Sequence, residues 1–256
     1  MPASIVAPEV REGFTTVTPY LRVPTTGFVD FLTRAFDAIE TSSTGTGGGG
    51  VHRGVRIGNS MIMIGEGGPQ GVVPFRAAEF HVYVEDADTT FRRAIAAGAV
   101  SLGEPADRHY GERAGFVRDT FGNHWFIATY RGPSYVPEGL RTVTPFLHVK
   151  GADRAIEFLQ EAFGARAEER NETPEGRIVH ARLRIGDAAI ELGEAEGADA
   201  MPATFYLYVA DADKLYERAL GGGATSLRPP TDEPYGDRVA AVADSMGNYW
   251  FIARPA

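Results

Sequence analysis

The chain contains no cysteine, which excludes a disulfide framework, a thiolate zinc site and a cysteine nucleophile. Long hydrophobic runs are missing as well. No stretch approaches 18 apolar residues, and the N-terminus lacks the basic-then-apolar order of an export signal. A cytoplasmic protein with no membrane partner is therefore expected. Positive charge is scarce: 25 Lys and Arg stand against 34 Asp and Glu, for a net charge of −9. Such a balance provides no basic face for a nucleic acid and is compatible with a cationic ligand. Lysine is almost absent, with only Lys150 and Lys214. Tryptophan occurs twice, at Trp125 and Trp250, and those two positions reveal how the chain is organised.

Each tryptophan closes the same twenty-residue pattern. Tyr110 to Thr129 reads YGERAGFVRDTFGNHWFIAT, and Tyr235 to Arg254 reads YGDRVAAVADSMGNYWFIAR, displaced by 125 residues with every gap kept. The pattern reads as a strand at Ala114 to Val117, a turn over Asp119 to Asn123, and a strand from His124 to Thr129. Gly122 and Asn123 are residues that a tight hairpin selects, because both tolerate positive φ. Outside this stretch the likeness continues: TVTPYLRV (16–23) matches TVTPFLHV (142–149). A repeat of this length makes the 256-residue chain two modules, at 14–130 and 140–256, joined by a Pro-containing linker at 131–139.

Within the first module, the β-branched and aromatic run from Phe14 predicts a strand. Thr25 or Thr26 offers an N-cap for a helix whose apolar face carries Phe28, Phe31, Leu32, Ala35 and Phe36. Thr41 to Gly50, TSSTGTGGGG, reads as a flexible turn. No Gly-Lys-Ser/Thr ending follows it, so it is not a phosphate loop. Strands are predicted near 52–57 and 61–65, a Gly/Pro loop over 67–77, and a strand at 79–84. Asp86 or Asp88 caps a second helix, which stops at Gly98. The second module repeats this order, with Asp153 capping its first helix. Residues 1–13 read as a loose tail. Each module thus holds two β-α-β-β-β units, an α+β class.

A paired β-α-β-β-β unit ending in Asp-x-x-Gly-x-x-Trp resembles the vicinal oxygen chelate superfamily, which includes glyoxalase I, extradiol dioxygenases and bleomycin-resistance proteins. His-x-x-x-Arg-Ile-Gly at 52–58 and 180–186, with the Tyr-Gly-x-Arg stretch, is most similar to its PhnB-like branch. The resemblance implies curled mixed sheets, each with a concave groove and with helices on the convex face. Alternation along the strands then directs Thr18, Tyr20 and Arg22 into the groove. It does the same for Glu79, His81 and Tyr83, for Thr204, Tyr206 and Tyr208, and for His124, Phe126 and Phe251, while both tryptophans face the helices.

Metal-dependent members of that superfamily supply four His or Glu ligands from four strands. The matching positions here are Thr18, Met63, Glu79 and Phe126 in the first copy, and Thr144, Glu191, Thr204 and Phe251 in the second. One carboxylate per copy will not hold a divalent ion, so neither metal nor cofactor is expected. Glu79 and Glu191 sit among Tyr20, Met63, Phe126, Phe146, Tyr206 and Phe251, where burial raises a carboxyl pKa and suits a general base. Tyr110 with Arg113, and Tyr235 with Arg238, either clamp an anionic group of a ligand or brace their loop against Asp107 and Asp232. His52 and His180 recur at strand starts, in a catalytic or a structural role.

Two functions compete on this basis. One is a metal-free binder of an aromatic, cationic small molecule, working as a monomer with an internal pseudo-dimer or as a homodimer. The other is an enzyme of the same superfamily, either a lyase or isomerase that uses Glu79 or Glu191 as its base or, under a different alignment of the ligand positions, a metal-dependent one.

Overall fold

The computed structural model describes residue 10 and residues 12–46, 48–68, 71–196 and 200–256. Most of the expected tail at 1–13 therefore lies outside the described residues. The first copy runs β1 (Val17–Val23), α1 (Phe28–Phe36), β2 (Ile39–Gly45), β3 (Val51–Ile57), β4 (Ser60–Glu66), β5 (Glu79–Tyr83), α2 (Ala87–Ala96), β6 (Val100–Asp107), β7 (Glu112–Arg118) and β8 (His124–Tyr130). The second repeats it as β9 (Val143–Val149), α3 (Ala152–Phe163), β10 (Arg166–Glu172), β11 (Ile178–Ile185), β12 (Ala188–Glu194), β13 (Thr204–Tyr208), α4 (Ala212–Gly221), β14 (Thr225–Asp232), β15 (Arg238–Ala243) and β16 (Tyr249–Arg254).

The strands form two mixed eight-stranded sheets, ordered β14-β15-β16-β13-β1-β4-β3-β2 and β10-β11-β12-β9-β5-β8-β7-β6. Each sheet takes four strands from each sequence copy. By density of contacts the chain divides into two compact units. One holds the described residues up to Tyr20, Gly71–Val73 and everything from Leu147 onward; the other holds the remainder from Leu21 to Phe146.

In the second unit, α1 buries Phe28, Phe31, Leu32, Ala35 and Phe36, as its spacing predicts. Its N-cap differs from expectation: neither Thr25 nor Thr26 serves. Gly27 occupies that position at φ 102 with no side-chain cap, and the Glu66 carboxylate at the end of β4 accepts the Phe28 N–H at 3.2 Å. In the first unit, Glu194 takes the Gly151 and Ala152 N–H groups in the same way, so Asp153 is not the cap. A carboxylate at a helix start satisfies orphan donors and opposes the positive end of the dipole. Asp86 does cap α2, accepting from the Thr89 N–H.

Thr41 to Gly50 also departs from expectation. Its first half belongs to β2, which pairs antiparallel with β3 and exposes every residue. The strand lies at the sheet's edge, so neither face is buried and no alternation marks it in the sequence.

The Arg-Ile-Gly motifs are turns with a tertiary purpose. Gly58, at φ +55, lies so close to Thr142 that an added Cβ would meet its Oγ1 at 2.2 Å; Gly186, at φ +59, stands in the same relation to Thr16. The next residue fastens each contact. Asn59 Oδ1 accepts the Thr142 N–H at 2.8 Å, and Asp187 Oδ1 accepts both the N–H and the hydroxyl of Thr16 at 2.8 Å.

Candidate functional site

In the second unit, β5 and β8 are parallel, with Glu79 beside His124 and His81 beside Phe126. Alternation sends Phe80, Val82, Trp125 and Ile127 to the helix side, where all are fully buried. Trp125 packs between Phe36 of α1 and Phe80, at 4.8 and 4.9 Å. Its indole N–H donates to the buried Asp119 at 2.8 Å. Strand β7 lies antiparallel to β8 with Phe116 opposite Phe126. Gly115 faces α2, where a Cβ would strike Phe91, so Glu112, Ala114 and Phe116 share the other face with Glu79, His81, Tyr83, His124 and Phe126.

Two histidine–carboxylate pairs lie on that face. Glu79 Oε2 is 3.3 Å from His124 Nδ1, and Glu112 Oε2 is 3.3 Å from His81 Nε2. The second is a close approach whose atoms are not aligned as a hydrogen bond. Tyr83 links the two strands: its hydroxyl donates to Glu112 Oε1 at 3.1 Å and lies 3.3 Å from His81 Nδ1. The His81 ring stacks on Tyr83 at 4.2 Å and meets the edge of Phe126. Phe116 sets its edge against His124 at 5.2 Å. The carboxylates are deep: Glu79 is 8% exposed and Glu112 5%. Arg108, from the β6–β7 hairpin, lays its guanidinium 5.7 Å over Phe126.

The matching positions of the second copy, in the first unit, are filled differently. Where the first copy has Glu79, His81, His124 and Phe116, the second has Thr204, Tyr206, Tyr249 and Ala241. Tyr206 stacks on Phe251 at 4.8 Å, and Tyr20 sets its edge on both at 5.7 Å. Tyr208, Phe251 and Val239 bury Val73 among them, with Phe14 and Val10 packed alongside. Burial holds the Tyr206 phenol well above its ordinary pKa. Tyr20, Tyr206, Tyr208 and Phe251 thus form a small core covered by the chain itself.

The remaining candidates are scattered. Arg113 points to the helix side of β7, where Asp88 of α2 holds its guanidinium with help from Asp107. Arg238 is held by Asp213 and Asp232. Of the two roles open to these arginines, bracing is the one their partners fill. Tyr110 and Tyr235 are more than half exposed in their hairpins. Glu191 on β12 is buried, 3.4 Å from His180 Nε2. Glu79 lies on β5 of the second unit and Glu191 on β12 of the first. Met63 is buried on β4, and Phe146 on β9 pairs with Glu79.

Sequence reasoning overlooked Glu112, Phe116 and Arg108. For Glu112 a signal existed: it precedes Arg113, and on a strand one of two neighbours must face the opposite side. Among the described residues, no group of three or more His, Asp or Glu is arranged to hold a metal ion. Nor is any helix long and apolar enough to cross a membrane.

Residues 141–252 match the Glyoxalase/Bleomycin resistance protein/Dioxygenase superfamily. An uncharacterized protein of Mycobacterium bovis is 34% identical over 125 residues, covering 44% of this chain and 82% of the relative. CFP32 of the same organism, a candidate glyoxylase by name, is 23% identical over 82% of both chains. Among solved structures, glyoxalase I from Zea mays superposes with a TM-score of 0.74 at 15% identity, covering 93% of this chain and 92% of that one. At that identity the likeness speaks for the fold alone.

Proposed function

We propose that the protein binds small molecules without a metal ion, holding an aromatic, cationic compound on the face of β5, β7 and β8 that carries Glu79, Glu112, His81, His124, Phe116 and Phe126. The contrast between the two copies is the observation that carries this reading. One face presents Glu79 with two histidines among rings. Its counterpart keeps a buried carboxylate, Asp237, at the Glu112 position but has Thr204, Tyr206 and Tyr249 in place of Glu79 and the histidines, and is packed with the chain's own Val73 and Phe14. A carboxylate set among aromatic rings on a strand face is the kind of group that a ligand cation seeks. A ligand ammonium can pair with it, and the surrounding rings favour both a cation and an aromatic body.

Two measurements test the reading. Benzylamine should raise the melting temperature of the protein in a thermal-shift titration, toluene should raise it less, and Glu79→Gln should remove the difference. Equal shifts from both compounds would overturn the cation. Metal analysis of freshly purified protein should find no stoichiometric divalent ion.

The 3.3 Å contact between Glu79 and His124 favours a second reading, a lyase or isomerase in which Glu79 takes a proton from a bound substrate and His124 steadies the resulting acid. Native mass spectrometry would reveal a co-purifying compound. Incubating that compound with the protein in heavy water would then show enzymatic proton abstraction as deuterium incorporation that Glu79→Gln abolishes.

A further inference from the structure

Arg108 differs from the other arginines around this site. Arg113 and Arg131 meet carboxylates of Asp88 and Asp107. Arg108 has no carboxylate partner among the described residues. Its Nη2 donates to the Ala114 carbonyl at 3.3 Å, its guanidinium carbon lies 5.7 Å from the centre of the Phe126 ring, and its Nε is buried without an acceptor. A guanidinium with an unused buried N–H, held in place by a backbone carbonyl and a ring, is a preorganised receptor for an oxyanion. The second copy has Glu233 at the matching position, so this cation belongs to the polar face alone.

We infer that the ligand is amphoteric, with an oxyanionic group such as a carboxylate or phosphonate on Arg108 and its amine on Glu79. This rests on the binding function proposed above and narrows the class of compound. The strand register gives the scale. Glu79 pairs with His124 and His81 with Phe126, so the acidic pair and the ring beneath Arg108 are two residues apart, roughly 6.6 Å along the strand. One six-membered ring substituted at opposite ends spans that separation. Phe116, in ring contact with both His124 and Phe126, forms the floor between them.

The experiment is calorimetric titration of the full chain with 4-(aminomethyl)benzoate, 4-(aminomethyl)phenylphosphonate and benzylamine. At least one amphoteric probe should bind about tenfold tighter than benzylamine, the scale of one charge-assisted contact. Arg108→Met should erase that advantage and leave benzylamine unchanged, while Arg108→Lys should retain part of it. Equal binding of all three probes to the wild type would overturn the anionic contact and leave the cation site standing. Loss of benzylamine binding in Arg108→Met would also overturn it, because Arg108 would then serve the structure rather than the ligand. If none of the three binds, the binding function falls, and this inference falls with it.

Discussion

Asp119 and Asp244 are the residues on which both closing hairpins depend. Asp119 accepts from the Phe121 and Asn123 backbone N–H groups, the Asn123 amide and the Trp125 indole, and Asp244 repeats all four contacts. Removing an acceptor that serves four buried donors should be costly. Asp119→Ala is expected to lose about 2–4 kcal/mol, read from the urea midpoint. A titrating carboxylate gives a second prediction. Arg184 beside Glu168 holds its carboxyl down to about 2, from an ordinary value of 4.5. Because the folded pKa is depressed, the pair stabilises the fold above the unfolded value, and that stability is lost as pH falls through the folded one. The wild type should thus melt above Glu168→Gln at pH 7, by a margin equivalent to about 1 kcal/mol. That gap should close as the pH is lowered from 5 toward 2. Single residues were legible where a strand's two faces differ in kind, as with Glu79 and Trp125. Arg113 remained ambiguous because a guanidinium suits a ligand and an aspartate equally well.

At the level of elements, helices and hairpins announced themselves through spacing and glycine, whereas edges did not. Strand β2 escaped notice because TSSTGTG has no buried face to pattern. The caps of α1 and α3 escaped because Glu66 and Glu194 reach them from strands 38 and 43 residues further on, beyond any local rule. The paired hairpin glycines were visible as a motif, but their reason lies across the fold, in Thr142 and Thr16. Gly186→Ala must relieve both a left-handed φ and a 2.2 Å approach to Thr16. It should destabilise by about 2 kcal/mol or more, measured as a fall in melting temperature. Gly176→Ala is a fitting control. It shares the positive φ but has nothing within 4 Å, so its loss should be smaller.

For the molecule as a whole, the repeat made the number of modules legible, but the strand order could not be read from it. Strands β1 to β4 lie in one sheet and β5 to β8 in the other, each completed by strands of the second copy. Residues 14–130 expressed alone should therefore not give a folded monomer. Circular dichroism and sedimentation should find either an unfolded chain or a dimer in which two first copies complete each other's sheets. A folded monomer would contradict this. The interleaving also bears on descent. After the ancestral gene doubled, neither duplicate kept a cradle of its own, so neither was free to specialise alone. Novelty had to arise in halves, and two histidines in one half came to stand where tyrosines fill its twin.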